Sequence, residues 1–175
     1  MFTKGREYYS KSHYIMRFLW QITYILFFRY SPRLIYPWRI FLLRIFGAKI
    51  GKNVKIFPSV LITYPWNLEV QESTVIAWGV KIYNLGFIKI GKNTIISQYA
   101  HLCAGDHDYK DPRFKLLMPP ITIGDGVWIA SEAFIGPRVI IENKAVIGAR
   151  AVVVRNVPES AVFAGNPAKM IKMRD

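Results

Sequence analysis

From Ile50 onward an aliphatic residue returns at every sixth position, and this spacing is the strongest signal in the chain. In sixes the sequence reads Ile50-Gly-Lys-Asn-Val-Lys, Ile56-Phe-Pro-Ser-Val-Leu and Ile62-Thr-Tyr-Pro-Trp-Asn. The pattern resumes, after two extra residues each time, at Val70 and Ile90. It breaks over 108–122 and returns at Ile123, Ile129, Ile135, Ile141, Ile147 and Val153. The first position is Ile, Leu or Val in all 15 units, and four residues later stands Val, Ala or Thr in 12 of them. Each unit predicts a short strand and a turn. The aliphatic residue points inward onto its equivalent one coil above, the small residue keeps the interior narrow, and Gly or Asn tolerates the corner. No unit buries its face alone, so the stack is cooperative. Ile76, Ile96, Ile129 and Ile147 are expected inside.

Residues 1–49 have a different pattern. Ile15, Phe18, Leu19, Ile22, Ile25 and Leu26 recur at helical spacing, with Phe27 and Phe28 beside them. Ser31-Pro32 breaks that helix, and a shorter one is expected over 38–46. The longest uncharged stretch, Phe18 to Phe28, has 11 residues, about half of what crosses a bilayer. The chain therefore divides into a basic, aromatic helical arm (1–49) and a coil domain (50–175) with an extruded loop over 108–122 and a short C-terminal tail.

Charge sharpens that division. Residues 1–49 hold nine Lys or Arg against one acid, Glu7, and 14 of the 26 aromatic residues. Such an excess points to an anionic partner. Apolar residues mixed with Arg suit a helix lying in a membrane interface, and equally an arm packed on the domain or on a neighbouring subunit. No nucleic-acid module is visible. Cys103 is the single cysteine, which excludes a disulfide framework and a thiolate zinc cluster and fits the cytoplasm; the basic arm adds the option of peripheral association at the inner face of the membrane.

Several segments carry a resemblance. They include Phe46-Gly-Ala-Lys-Ile-Gly51, Tyr64-Pro-Trp-Asn-Leu68 and Ile96-Ser-Gln98. The most specific are Gly105-Asp-His-Asp-Tyr109, Pro120-Ile-Thr-Ile-Gly-Asp-Gly-Val-Trp-Ile-Ala130 and Gly165-Asn-Pro-Ala-Lys169. With the repeat, these resemble the hexapeptide-repeat acyltransferases, and within them the acetyltransferases of bacterial surface-polysaccharide biosynthesis, such as the colanic-acid type. The resemblance implies an all-β, left-handed parallel β-helix. It implies a homotrimer and acetyl-CoA as co-substrate; no metal is expected, because His101 and His107 have no third partner for a zinc site of the kind this fold also supports. The implied acceptor is a sugar hydroxyl, free or on a lipid carrier. An N-acetyltransferase on an amino sugar and a non-catalytic β-helix scaffold are the rival readings.

The resemblance makes His107 the catalytic base, and its place at the loop's mouth suits that role. Imidazole is the side chain fitted to take a hydroxyl's proton near neutral pH. Asp106 and Asp108 flank it; either orients the ring or caps the loop, and the sequence leaves this open. Asn84 matches a position that contacts the acceptor in galactoside-type relatives. Ser131, Ala149, Val154, Arg155, Lys169 and Lys172 match CoA-contacting positions there, the small residues for the pantetheine arm and the cations for phosphates. Pro137-Arg138 stands where the family often has Pro-Gly and reads as a surface change. His101 is expected to be an ordinary surface or subunit-contact residue, and Cys103 a plain small residue.

Overall fold

The computed structural model describes residues 9–174. Its main body is a parallel coil with three flat faces. The first face holds strands Lys49–Ile50, Leu68–Val70, Ile88–Ile90, Ile121–Ile123 and Ile140–Ile141. The second holds Lys55–Ile56, Val75–Ile76, Ile95–Ile96, Trp128–Ile129, Val146–Ile147 and Ala161–Gly165. The third holds Leu61–Ile62, Lys81–Tyr83, His101–Cys103, Phe134–Ile135 and Val152–Val153. The hexad's aliphatic positions are in register across coils. On the second face Ile56, Ile76, Ile96, Ile129 and Ile147 pair in sequence, all fully buried. Ile50, Val70, Ile90, Ile123 and Ile141 do the same on the first face. Like stacks on like because every coil presents one such residue per face, which is the stack expected from the repeat.

The small inward residues fill the corners, and two of them are polar. Thr74 and Thr94 are buried, yet their hydroxyls donate to the carbonyls of Gly91 and Gly124, at 2.7 and 2.9 Å. Burial without those bonds would cost each hydroxyl about 1–3 kcal/mol. The corners themselves differ from expectation. Left-handed backbone recurs at Asn53, Ser73, Asn93, Gly126 and Lys144, and again at Gly79, Tyr99, Glu132 and Arg150. Only some of these are Gly or Asn. Hydrogen bonds from the next coil fix the turn geometry, so the residue there tolerates an unfavourable φ.

The arm is α1 (Lys11–Thr23), a π turn (Tyr24–Phe28) and α2 (Tyr36–Ile45). Ser10 caps α1 by accepting from the His13 amide at 3.3 Å. The arm docks through Trp20, Phe28, Leu42 and Leu43, all buried with the coil's core. The predicted apolar face of α1 is turned the other way: Ile15, Phe18, Leu19, Ile22, Ile25 and Leu26 are exposed.

Three polar side chains finish the docking. In the body of the coil each strand's carbonyls accept from the coil before, as Ile96 accepts from Ala77 and Ile129 from Ser97. The first coil has no predecessor. Its carbonyls at Ile50, Ile56 and Ile62, one per face, instead accept from Arg44, Arg39 and Trp20. Arg39 is fully buried. Besides Ile56, at 2.7 Å, its guanidinium reaches the Ser31 hydroxyl and the carbonyls of Pro32 and Arg33. Five N–H donors in a planar fork serve those acceptors together, which an ammonium cannot do.

The other end departs from the sequence reading. The expected short tail is an antiparallel hairpin, Ala161–Gly165 with Ala168–Met173, and it extends the second face. Its tight turn at Gly165 has φ +96°, which glycine adopts without strain.

Candidate active site

The interruption of the repeat is a hairpin. Asp106–His107 pairs antiparallel with Leu116–Leu117, with His107 opposite Leu116. The loop proper is thus narrower than 108–122, because both its ends are strands and Ile121 has already rejoined the first face. Asp108 holds the tip by accepting from the amides of Lys110 and Asp111, at 3.0 and 3.3 Å. The chain returns so close to Gly86 that a Cβ there would lie 2.3 Å from the Pro119 carbonyl oxygen.

His107 is exposed at the hairpin's mouth, and its ring stacks on Phe114, centroids 4.4 Å apart and 11° from parallel. Its Nδ1 lies 3.0 Å from the Phe114 carbonyl oxygen. A carbonyl only accepts, so Nδ1 carries the proton and donates, and Nε2 of the neutral ring keeps its lone pair. Neither flanking aspartate orients the ring. Asp106 accepts from the His107 amide at 2.8 Å and pairs with Arg138 at 3.0 Å. Arg138 is therefore more than a surface change: it occupies a left-handed corner, φ +66°, from which its guanidinium reaches the strand bearing His107. The residue type expected there, glycine, matches the backbone; the arginine adds a contact that spacing alone does not show.

Asn84, matched above to an acceptor contact, is engaged with the backbone of the coil before. Asn84 is fully buried, and its amide oxygen accepts from the Tyr64 N–H at 3.0 Å while its amide nitrogen donates to the Tyr64 carbonyl at 2.5 Å. The two extra residues of the early coils interrupt the backbone ladder at Tyr64, and Asn84 replaces both missing bonds. One N–H and one lone pair of the buried amide are thus committed to the backbone.

The remaining site residues fall on separate corners. Ser131 and Ala149 lie between the second and third faces, one coil apart, where the Arg150 amide donates to the Ser131 carbonyl at 2.9 Å. Val154 and Arg155 lie between the third and first faces, the corner that also carries Gly105, Asp106 and Arg138. Lys169 and Lys172 are on the terminal hairpin. Ala149, Val154, Arg155, Lys169 and Lys172 are exposed, and no ion pair among the described residues engages the three cations. Within one chain Ser131 and Ala149 are not brought to the corner of His107.

His101 and Cys103 share a groove of about 360 Å³ with Thr63, Lys81 and Tyr83. Burial, reinforced by Lys81, pulls the His101 pKa below its ordinary value. The Cys103 thiol lies 3.5 Å from the Gly105 carbonyl oxygen. Among the described residues no group of three or more His, Cys, Asp or Glu is placed to hold a metal ion.

Comparison with known proteins gives the family to which this coil of hexads belongs. A family model described as bacterial transferase hexapeptide (six repeats) matches residues 120–155. A protein of Escherichia coli (strain K12) named as a colanic acid biosynthesis acetyltransferase, WcaF, is 45% identical over 156 residues, spanning 89% of this chain and 86% of its own. Galactoside O-acetyltransferase of the same organism is 30% identical over 128 residues, 71% of this chain and 63% of that one. The solved structure of galactoside acetyltransferase in complex with coenzyme A superposes with a TM-score of 0.85 at 26% identity, over 95% of this chain and 84% of that chain. The chain belongs to the hexapeptide-repeat acetyltransferases, and its coil is their left-handed parallel β-helix.

Proposed function

We propose that the protein transfers acetyl from acetyl-CoA to a hydroxyl of a sugar during assembly of a bacterial surface polysaccharide. The observation that carries this reading is the His107–Phe114 bond. It parks the ring's proton on Nδ1 and leaves Nε2, on an exposed hairpin, free to take a hydroxyl's proton. The name of the WcaF relative supports the polysaccharide setting.

Acetyl-CoA supplies the activated thioester. Arg155, Lys169 and Lys172 are free, exposed cations suited to its phosphates, and Ser131 and Ala149 are small enough for its pantetheine arm to pass along the coil. His107 removes the proton as the acceptor oxygen bonds to the acetyl carbon and the bond from that carbon to sulfur breaks. The proton then passes from Nε2 to the departing thiolate, so the ring ends neutral. Asp106 and Arg138 hold the strand under the base. A homotrimer in which His107 faces a neighbour's last coils is supported by the separation of the two corners within one chain. The acceptor sugar is free or carried on a lipid.

The test is a turnover assay with acetyl-CoA and candidate sugars, followed by mass spectrometry. A product whose acetyl group is lost to mild alkali is an ester and supports O-transfer; an alkali-stable amide overturns it. Replacing Arg155, Lys169 and Lys172 together by Ala is expected to raise the acetyl-CoA KM well above tenfold, because charge-assisted contacts contribute about 1.5–3 kcal/mol each. An unchanged KM places the cofactor elsewhere. Asp106→Ala, which frees both the His107 amide and Arg138, is expected to lower kcat by about tenfold to a hundredfold with the acetyl-CoA KM unmoved. A change in KM alone would make Asp106 a binding residue and not a positioning one.

A further inference from the structure

Both helices of the arm carry an apolar stripe that stays exposed among the described residues. On α1 and the π turn, Trp20 and Phe28 face the coil, while Ile15, Phe18, Leu19, Ile22 and Leu26 stand about half a helical turn away. They are exposed, Phe18 and Leu26 by 61% each. On α2, Arg39, Leu42 and Leu43 are buried, and Trp38, Phe41 and Ile45 face out. The stripes meet where the Trp38 indole donates to the Phe27 carbonyl at 2.9 Å and its ring stacks on Phe41. Between them Tyr30 and Leu34 are 77% and 79% exposed. An apolar patch of this extent marks a partner.

Charge selects which partner. From Tyr9 to Lys49 there are seven Lys or Arg and no Asp or Glu. Lys11 and Arg29 stand at the two ends of the α1 stripe, both exposed. A second copy of the chain is a poor fit: this face against itself opposes like charges, and residues 50–175 offer 15 Lys or Arg against 10 acids. α1 and the π turn together run from Lys11 to Phe28, about 27 Å at helical rise. Among the described residues no helix is long and apolar enough to cross a membrane.

We propose that the outward face of the arm docks in the headgroup layer of an anionic phospholipid bilayer, with both helices in the membrane plane. Apolar side chains enter the acyl boundary and the flanking cations meet lipid phosphates. Tyr9 donates its hydroxyl to the Met118 sulfur at 3.5 Å, just beyond the His107 hairpin. A docked arm therefore holds the candidate base near the surface on which a lipid-borne sugar is displayed; only this last point rests on the function proposed above.

Vesicle flotation of the full-length chain tests the docking. At low salt the protein is expected to float with phosphatidylcholine vesicles containing phosphatidylglycerol, far less with phosphatidylcholine alone, and to be released as salt screens the charges. Combining Phe18→Ser, Ile22→Ser and Leu26→Ser is expected to lower the partition about a hundredfold. Thermal unfolding and turnover of a water-soluble acceptor should not change, since these side chains face away from the coil. Failure of the intact protein to float at low salt overturns the docking. So does a serine variant that floats like the parent, and so does one whose oligomer dissociates in light scattering, which would make the face a subunit contact. If the protein floats as expected but acetylates no sugar, the proposed reaction falls and the membrane face stands.

Discussion

Replacing His107 by Ala is expected to lower acetyl transfer about 10²–10⁴-fold, the usual contribution of a positioned general base. The side chain is exposed and outside the inward stack, so thermal unfolding should not move. The rise in melting temperature on adding CoA should persist as well, because none of the proposed phosphate-binding residues has been touched. His107→Asn is expected to be nearly as damaging: its amide can still bond the Phe114 carbonyl but offers no lone pair basic enough to take a proton. His101→Ala and Cys103→Ala should cost far less, which separates direct transfer from an acyl-cysteine route. The measurement is kcat with a verified acceptor, and near-normal turnover by His107→Ala would rule out the mechanism whatever the fate of the cofactor site.

Arg39→Ala is expected to be the most destabilising single change in the arm. It strips one donor group from four acceptors, three of them carbonyls; the bond to Ile56 is buried and the other three are partly buried. Hydrogen bonds to charged groups contribute about 1.5–3 kcal/mol and orphaned buried acceptors cost a similar amount, so a loss of about 3 kcal/mol is expected even after partial relaxation. For a chain of this size that lowers Tm by about 6–12 °C in calorimetry. Arg39→Lys should recover only part of it, since three donors on a flexible stem cannot span the same acceptors. A drop below about 1 kcal/mol would mean that water enters and replaces the guanidinium.

The coil was legible from its period because one aliphatic residue per face must meet its equivalent in the next coil. Residue type at Ile76, Ile96, Ile129 and Ile147 therefore reports burial directly. His107 was legible for a related reason: it sits where that period stops. What lay beyond the pattern are contacts between segments far apart in sequence. Arg39 reaching Ile56, Asn84 bonding Tyr64 and Arg138 reaching Asp106 join a side chain to a group whose position depends on three-dimensional register. Asn84 in particular has the same chemistry whether it holds a sugar or a backbone. The arm's apolar face left two readings open, a membrane interface or a packed flank; the helix docks by Trp20 and Phe28 and leaves the six residues at helical spacing exposed.

The three side chains that close the first coil have a further consequence. A stack of parallel strands has no intrinsic stopping point, and its last rung is a template on which a stray chain can add another. Covering that rung with a strand would only move the vacancy outward. Trp20, Arg39 and Arg44 instead end it with an indole and two guanidiniums, groups that donate and have no acceptor to pass on. At this end the fibre-like growth that the repeat invites is chemically terminated by the protein's own arm.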